Sequence, residues 1–179
     1  MSGSWRVWRS GLLWVGLVGV AAGQGVEMQP GVERQQVEGL LARGVPIHGI
    51  GLEAHLRSDQ ANVLGDVSYE AFLEELAKRG MKIFITELDI QDTNLPADVD
   101  ARDKAIADLY RKFLTASLRQ PAVKGVITWG LSDSFTWISG YRPRKDGLPV
   151  RPLPFDASCL PKPAYYAIAE ALETAPRRA

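Results

Sequence analysis

Met81-Lys82-Ile83-Phe84-Ile85-Thr86-Glu87-Leu88-Asp89-Ile90 is the stretch on which the fold turns. Met81 to Ile85 is apolar apart from Lys82 and follows Gly80, the pattern of a short buried strand. It then runs directly into Thr86-Glu87-Leu88-Asp89. Side chains two apart on a strand share a face, so Glu87 and Asp89 point the same way and Leu88 the other. Charge at the carboxyl end of a buried strand lies where α/β proteins build their active sites, which makes Glu87 the first candidate for a reacting group.

Outward from that strand the chain alternates. Upstream, Ser68 to Arg79 carries Phe72, Leu73 and Leu76 on one face, and Gly80 ends it as a helix would end. Before it, Val45 to Leu52 is a short apolar segment running into Glu53-Ala54-His55, a second strand. Before that, Val32 to Arg43 places Val37, Leu40 and Leu41 at helical spacing and stops at Gly44. Downstream, a loop from Gln91 to Val99 leads to a longer amphipathic helix, about Asp100 to Arg119, with Ile106, Leu109, Tyr110, Phe113 and Leu114 as its inner stripe. Pro121 closes that helix. Val123 to Trp129 is a third strand, followed by a Gly/Pro/Arg-rich loop from Gly130 to Leu160 and a last helix near Pro161. Helices alternating with three strands imply parallel βα units.

Composition narrows the function. The 179 residues carry 21 basic and 21 acidic side chains, so no net field recruits nucleic acid or an anionic membrane. One cysteine, Cys159, leaves no internal disulfide, and two histidines, His48 and His55, argue against a histidine-rich metal centre. No cofactor and no metal are expected. At the N-terminus, Arg6 and Arg9 precede the apolar run Gly11 to Val20 and then Ala21-Ala22-Gly23, the three parts of a secretory leader. Residues 1–31 are therefore expected to be leader-like or unstructured, with the mature protein extracellular and free of the membrane. The folded part is expected over residues 32–175.

Four segments, in order, carry a family resemblance. They are Val45-Pro-Ile-His-Gly-Ile-Gly-Leu-Glu-Ala-His-Leu56, Ile85-Thr-Glu-Leu-Asp-Ile90, Gly125-Val-Ile-Thr-Trp-Gly-Leu-Ser-Asp-Ser-Phe-Thr-Trp137 and Pro154-Phe-Asp-Ala-Ser-Cys-Leu-Pro-Lys-Pro-Ala-Tyr-Tyr166. Together they resemble the carboxyl-terminal part of glycoside hydrolase family 10, chiefly retaining endo-1,4-β-xylanases on a (β/α)8 TIM barrel. The resemblance implies an α/β fold comprising about the last three βα units of that barrel. It implies that Glu87 is the catalytic nucleophile, attacking the anomeric carbon and holding a covalent glycosyl intermediate. His55 and Asp89 would orient it, the imidazole bridging the two carboxylates. Trp129 and Trp137 would line sugar subsites, because the apolar C–H faces of a pyranose pack on flat π surfaces. Xylan or a xylo-oligosaccharide is the implied substrate. Arg142, Arg144 and Lys145 are expected to form a solvated loop cluster.

The resemblance has a gap. These enzymes carry their acid/base glutamate in an Asn-Glu motif on an earlier strand, and no such dipeptide occurs among the 179 residues. Retention needs two carboxyls about 5 Å apart across the scissile bond. Glu53, at a position where relatives usually carry Gln, would neighbour Glu87 across adjacent strands and be coupled to it, yet on the wrong side of the sugar to protonate a leaving group. The expectation is an enzyme lacking its acid/base half. The alternatives are a non-catalytic sugar-binding remnant and another retaining β-glycosidase barrel, against which Leu88-Asp89 and Pro161 to Tyr166 argue. Unpaired sheet edges are expected to promote self-association.

Overall fold

The computed structural model describes residues 14–17, 30–60 and 67–178. Its strands are β1 (Trp14–Leu17), β2 (Gly49–Leu52), β3 (His55–Arg57), β4 (Lys82–Gln91) and β5 (Val123–Thr128), and its helices α1 (Pro30–Ala42), α2 (Val67–Lys78), α3 (Val99–Leu118), a single turn α4 (Ile138–Tyr141) and α5 (Pro163–Glu173). All pairings are parallel. β4 is central: β2 pairs with its first half and β3 with its last three residues, β5 lies on its other side, and β1 pairs with β2.

Five strands stand where the sequence implied three. One reason is the length of β4, which continues four residues beyond Glu87 to Gln91 and so offers a pairing edge to His55–Arg57. β2 and β3 are thus one strand path interrupted at Glu53-Ala54, with the Ala54 carbonyl still accepting from the Asp89 N–H at 3.2 Å. The other addition, β1, falls within the leader-like stretch; residues 30–31 of that stretch open α1, two residues before the expected start of the folded part, and residues 1–13 and 18–29 lie outside the described residues. The loop after β5 contains a 3-10 turn at Asp133–Phe135 and α4.

Helix ends follow the local chemistry. Gly44 and Gly80 take φ of 72° and 74°, the left-handed region that a glycine enters without Cβ strain, and each turns its helix into the next strand. Asp98 caps α3, its carboxylate accepting from the Ala101 N–H at 2.8 Å.

The core lies between sheet and helices. Ile83, Ile85, Leu88 and Ile90 of β4 join Phe72, Leu73 and Leu76 of α2 and Ile106, Tyr110 and Phe113 of α3 in one buried cluster. Those β4 positions change parity, odd before Thr86 and even after Glu87. The change coincides with a register irregularity against β5 between Ile85 and Leu88. A bulge of this kind re-aims side chains, and here it keeps Leu88 and Ile90 in the core while releasing Glu87 and Asp89 to the other face. Alanines 164, 167 and 171 let α5 pack closely on α3.

Candidate active site

The functional side chains gather where β2 gives way to β3, beside the second half of β4. His55 opens β3 and is paired in register with Asp89. Its ring reaches both carboxylates of β4: Nδ1 donates to Asp89 Oδ1 at 3.1 Å and Nε2 donates to Glu87 Oε2 at 3.0 Å. An ionised carboxylate only accepts, so placing both ring nitrogens on carboxylates favours the doubly protonated imidazolium. Burial alone would depress the His55 pKa, but the hydrogen bonds and charges of Asp89 and Glu87 outweigh it and raise the pKa above its ordinary value.

The two carboxylates differ in access. Asp89 is fully buried, whereas the Glu87 side chain keeps 24% of its exposure. Asp89 faces inward as the anchor, and Glu87 presents its free oxygen to whatever occupies the face above. Glu53, in the break between β2 and β3, is half-buried. Its carboxyl is pushed above the ordinary value first by burial and then by the Glu87 charge, with His55 opposing. One ligand atom from each of Glu53, His55 and Glu87 lies within 4.8 Å of the others, and this is the single such cluster among the described residues.

Two tryptophans frame the cluster. Trp129 follows β5, its N–H donating to the Leu88 carbonyl at 2.9 Å, and is 45% exposed with its ring 6.2 Å from that of His55, edge to face. It has the exposed flat surface that a sugar platform needs. Trp137 is placed differently from a free platform. Its Nε1 donates to Asp89 Oδ2 at 2.7 Å, its ring lies 4.9 Å from His55, and Tyr141 stacks on it at 4.7 Å. The sequence contained no sign of this bond. Together Trp137, Asp89, His55 and Glu87 form a linear hydrogen-bonded relay.

The loop arginines depart from expectation in one case. Arg144 is buried, not solvated: its guanidinium bonds Asp146 and the carbonyls of Asp92 and Leu95, tying the loop after β5 to the end of β4. Lys145 is exposed. Arg142 is half-buried, its guanidinium 5.6 Å from the centre of the Tyr141 ring. Arg102 was not singled out from the sequence. It is fully buried in α3, and its Nη1 donates to Asp92 Oδ2 and the Pro149 carbonyl, both at 3.1 Å. Its position four residues before Ile106, in line with the inner stripe, was the available signal.

A parallel β/α sheet with an imidazole-braced carboxylate at its strand ends and tryptophans at its rim is the layout of an α/β-barrel glycoside hydrolase. Comparison with known proteins is specific about which kind. The family model described as Glycosyl hydrolase family 10 matches residues 31–171, and the chain belongs to that family. Endo-1,4-beta-xylanase B of Thermotoga neapolitana is 34% identical over 140 residues, which is 76% of this chain and 37% of that protein. Endo-1,4-beta-xylanase 2 of Aureobasidium pullulans is 32% identical over 137 residues, 73% of this chain and 36% of that one. Native xylanase 10B from Thermotoga maritima superposes with a TM-score of 0.67 at 32% identity, over 80% of this chain and 42% of its own. Xylanase 10B from Thermotoga petrophila RKU-1 in complex with xylobiose gives 0.68 at 31%, over 83% and 43%. The chain thus spans well under half the length of these relatives, and its fold is a partial, unclosed TIM barrel.

Proposed function

We propose that this chain carries the nucleophile side of a retaining endo-1,4-β-xylanase, acting on xylan or xylo-oligosaccharides. The observation that supports it best is His55 bridging the half-buried Glu87 and the fully buried Asp89. The hydrogen bond from His55 Nε2 at 3.0 Å fixes one oxygen of Glu87 and leaves the other for attack on an anomeric carbon. Trp129 offers a sugar-stacking surface beside it, and Trp137 offers the part of its ring that Tyr141 leaves open. Glu53 accepts from sugar hydroxyls. It stands beside Glu87 on the neighbouring strand path, so both carboxyls meet the same side of a bound sugar, whereas the acid belongs across the glycosidic bond.

Hydrolysis of a poor leaving group needs that acid. Among the described residues, Glu53 is the one carboxyl that completes a cluster with His55 and Glu87. The chain alone is accordingly expected to bind xylan and to react with glycosides whose leaving groups need no protonation, but not to depolymerise xylan. Reducing-sugar release from xylan, measured beside affinity electrophoresis in xylan gels, tests this. Retardation with negligible release supports the proposal, and release at ordinary xylanase rates that Glu53→Gln abolishes would instead make Glu53 the acid. A non-catalytic sugar-binding role would show retardation with no reaction even toward activated glycosides.

Secretion is part of the proposal and rests on the leader-like residues 1–31; removal of that stretch would take β1 with it and leave β2 at the edge. Self-association is supported by Ile127, Leu131 and Phe135, exposed at 54%, 60% and 84% on and just after β5. Sedimentation of the purified chain tests it, with a species heavier than the monomer expected.

A further inference from the structure

We infer that Glu53, His55 and Glu87 form a binding site for a divalent transition metal ion of the zinc type, a ligand not expected from a chain with two histidines and one cysteine. The donors come from two adjacent strand paths, Glu53 and His55 two residues apart across the β2–β3 break and Glu87 on β4. Bonds of about 2.0–2.1 Å from zinc to nitrogen and oxygen put neighbouring ligand atoms of a tetrahedron about 3.3 Å apart. His55 Nε2 and Glu87 Oε2 are already 3.0 Å apart, and the third ligand atom lies within 4.8 Å of both. Glu53 lies half-buried in the break between β2 and β3, and rotation of its side chain toward the other two can close the remaining gap.

The outer shell is also that of a metal histidine. Such a histidine gives its second ring N–H to a carboxylate, which fixes the tautomer and the ring plane. His55 does this to the fully buried Asp89, whose other oxygen is held by Trp137 Nε1 at 2.7 Å. On binding, Nε2 releases its proton to solvent and donates the freed lone pair to the metal; no electrons change hands. Half-buried Glu53 and Glu87 leave an approach to the ion and a fourth coordination position for water. Two carboxylates crowded on one histidine gain from a dication between them. The inference stands apart from the glycosidase proposal, because metal binding is read without any sugar.

Isothermal titration of the full chain with Zn2+ tests it, with Co2+ as a spectroscopic second probe. The expected result is one saturable site, weakened at least tenfold in Glu53→Gln and unchanged in His48→Gln and Cys159→Ser. Those two controls remove the other histidine and the exposed thiol. Co2+ should give the intense visible bands of a four- or five-coordinate site in the parent chain and lose them in Glu53→Gln, while circular dichroism shows the variant folded. No saturation below about 1 mM, equal affinity in Glu53→Gln, or loss of binding in either control would overturn the inference.

Discussion

Asp89→Asn perturbs the relay at its most buried member. Asp89 accepts two hydrogen bonds, from His55 Nδ1 at 3.1 Å and Trp137 Nε1 at 2.7 Å. Asparagine has the same shape but one acceptor oxygen, so either its amide nitrogen faces the Trp137 donor or His55 gives up its Nδ1 proton and accepts from the amide as a neutral ring. One charge-assisted bond is lost outright, worth about 1.5–3 kcal/mol, and the other falls to roughly half its strength. The sum is about 3 kcal/mol, at the lower end for breaking a buried pair because His55 keeps Glu87. Urea denaturation at pH 6 and pH 9 measures it, and pH sets the sign of a second effect. The folded His55 pKa is raised, so its stabilising contribution is complete below the unfolded value near 6.5 and is lost as pH rises through the folded value. In the variant only Glu87 opposes the depressing effect of burial, so less pH-dependent stability is there to lose. The destabilisation should therefore be larger at pH 6 than at pH 9. A difference below about 0.5 kcal/mol at pH 6, or a larger one at pH 9, would refute the relay as a source of stability.

Trp137→Phe keeps a ring against His55 and Tyr141 but removes the donor to Asp89, and should cost about 1–2 kcal/mol by the same denaturation assay. Arg102→Met leaves Asp92 buried with only the more distant Arg144, at 3.9 Å, and should cost about 3 kcal/mol or more. Adding Asp92→Leu should restore part of that loss, since replacing both members of a buried pair by apolar groups is far less costly than stranding one. A double variant no more stable than Arg102→Met would contradict the ion-pair assignment.

What the sequence disclosed depended on periodicity. The inner stripe of α3, the Phe72-Leu73-Leu76 face of α2 and the glycine stops at Gly44 and Gly80 were all legible, because 3.6-residue spacing and left-handed glycines leave local marks. β3 was not, since three residues are too short to show alternation and exist as a strand only because β4 runs on to Gln91. β1 was hidden for another reason: Trp14-Val-Gly-Leu17 is equally at home in an apolar leader and in a sheet. At the site, the shared face of Glu87 and Asp89 followed from the two-residue repeat of a strand, while His55 entered through the family resemblance. The Trp137 bond to Asp89 spans 48 residues and depends on the path of an irregular loop. Arg144 is the same case, a charge that looked solvated until the loop folded back onto the end of β4.

The role proposed for Glu87 can be observed with a substrate that needs no acid. A 2-deoxy-2-fluoro xylobioside carrying a dinitrophenolate leaving group needs no protonation, and its fluorine slows release of the glycosyl-enzyme. Intact mass spectrometry of the incubated chain, followed by peptide mapping, should show one added fluoroxylobiosyl group on Glu87 and none in Glu87→Gln. No adduct, an adduct on another residue, or equal labelling of Glu87→Gln would contradict the assignment of Glu87 as the attacking carboxylate.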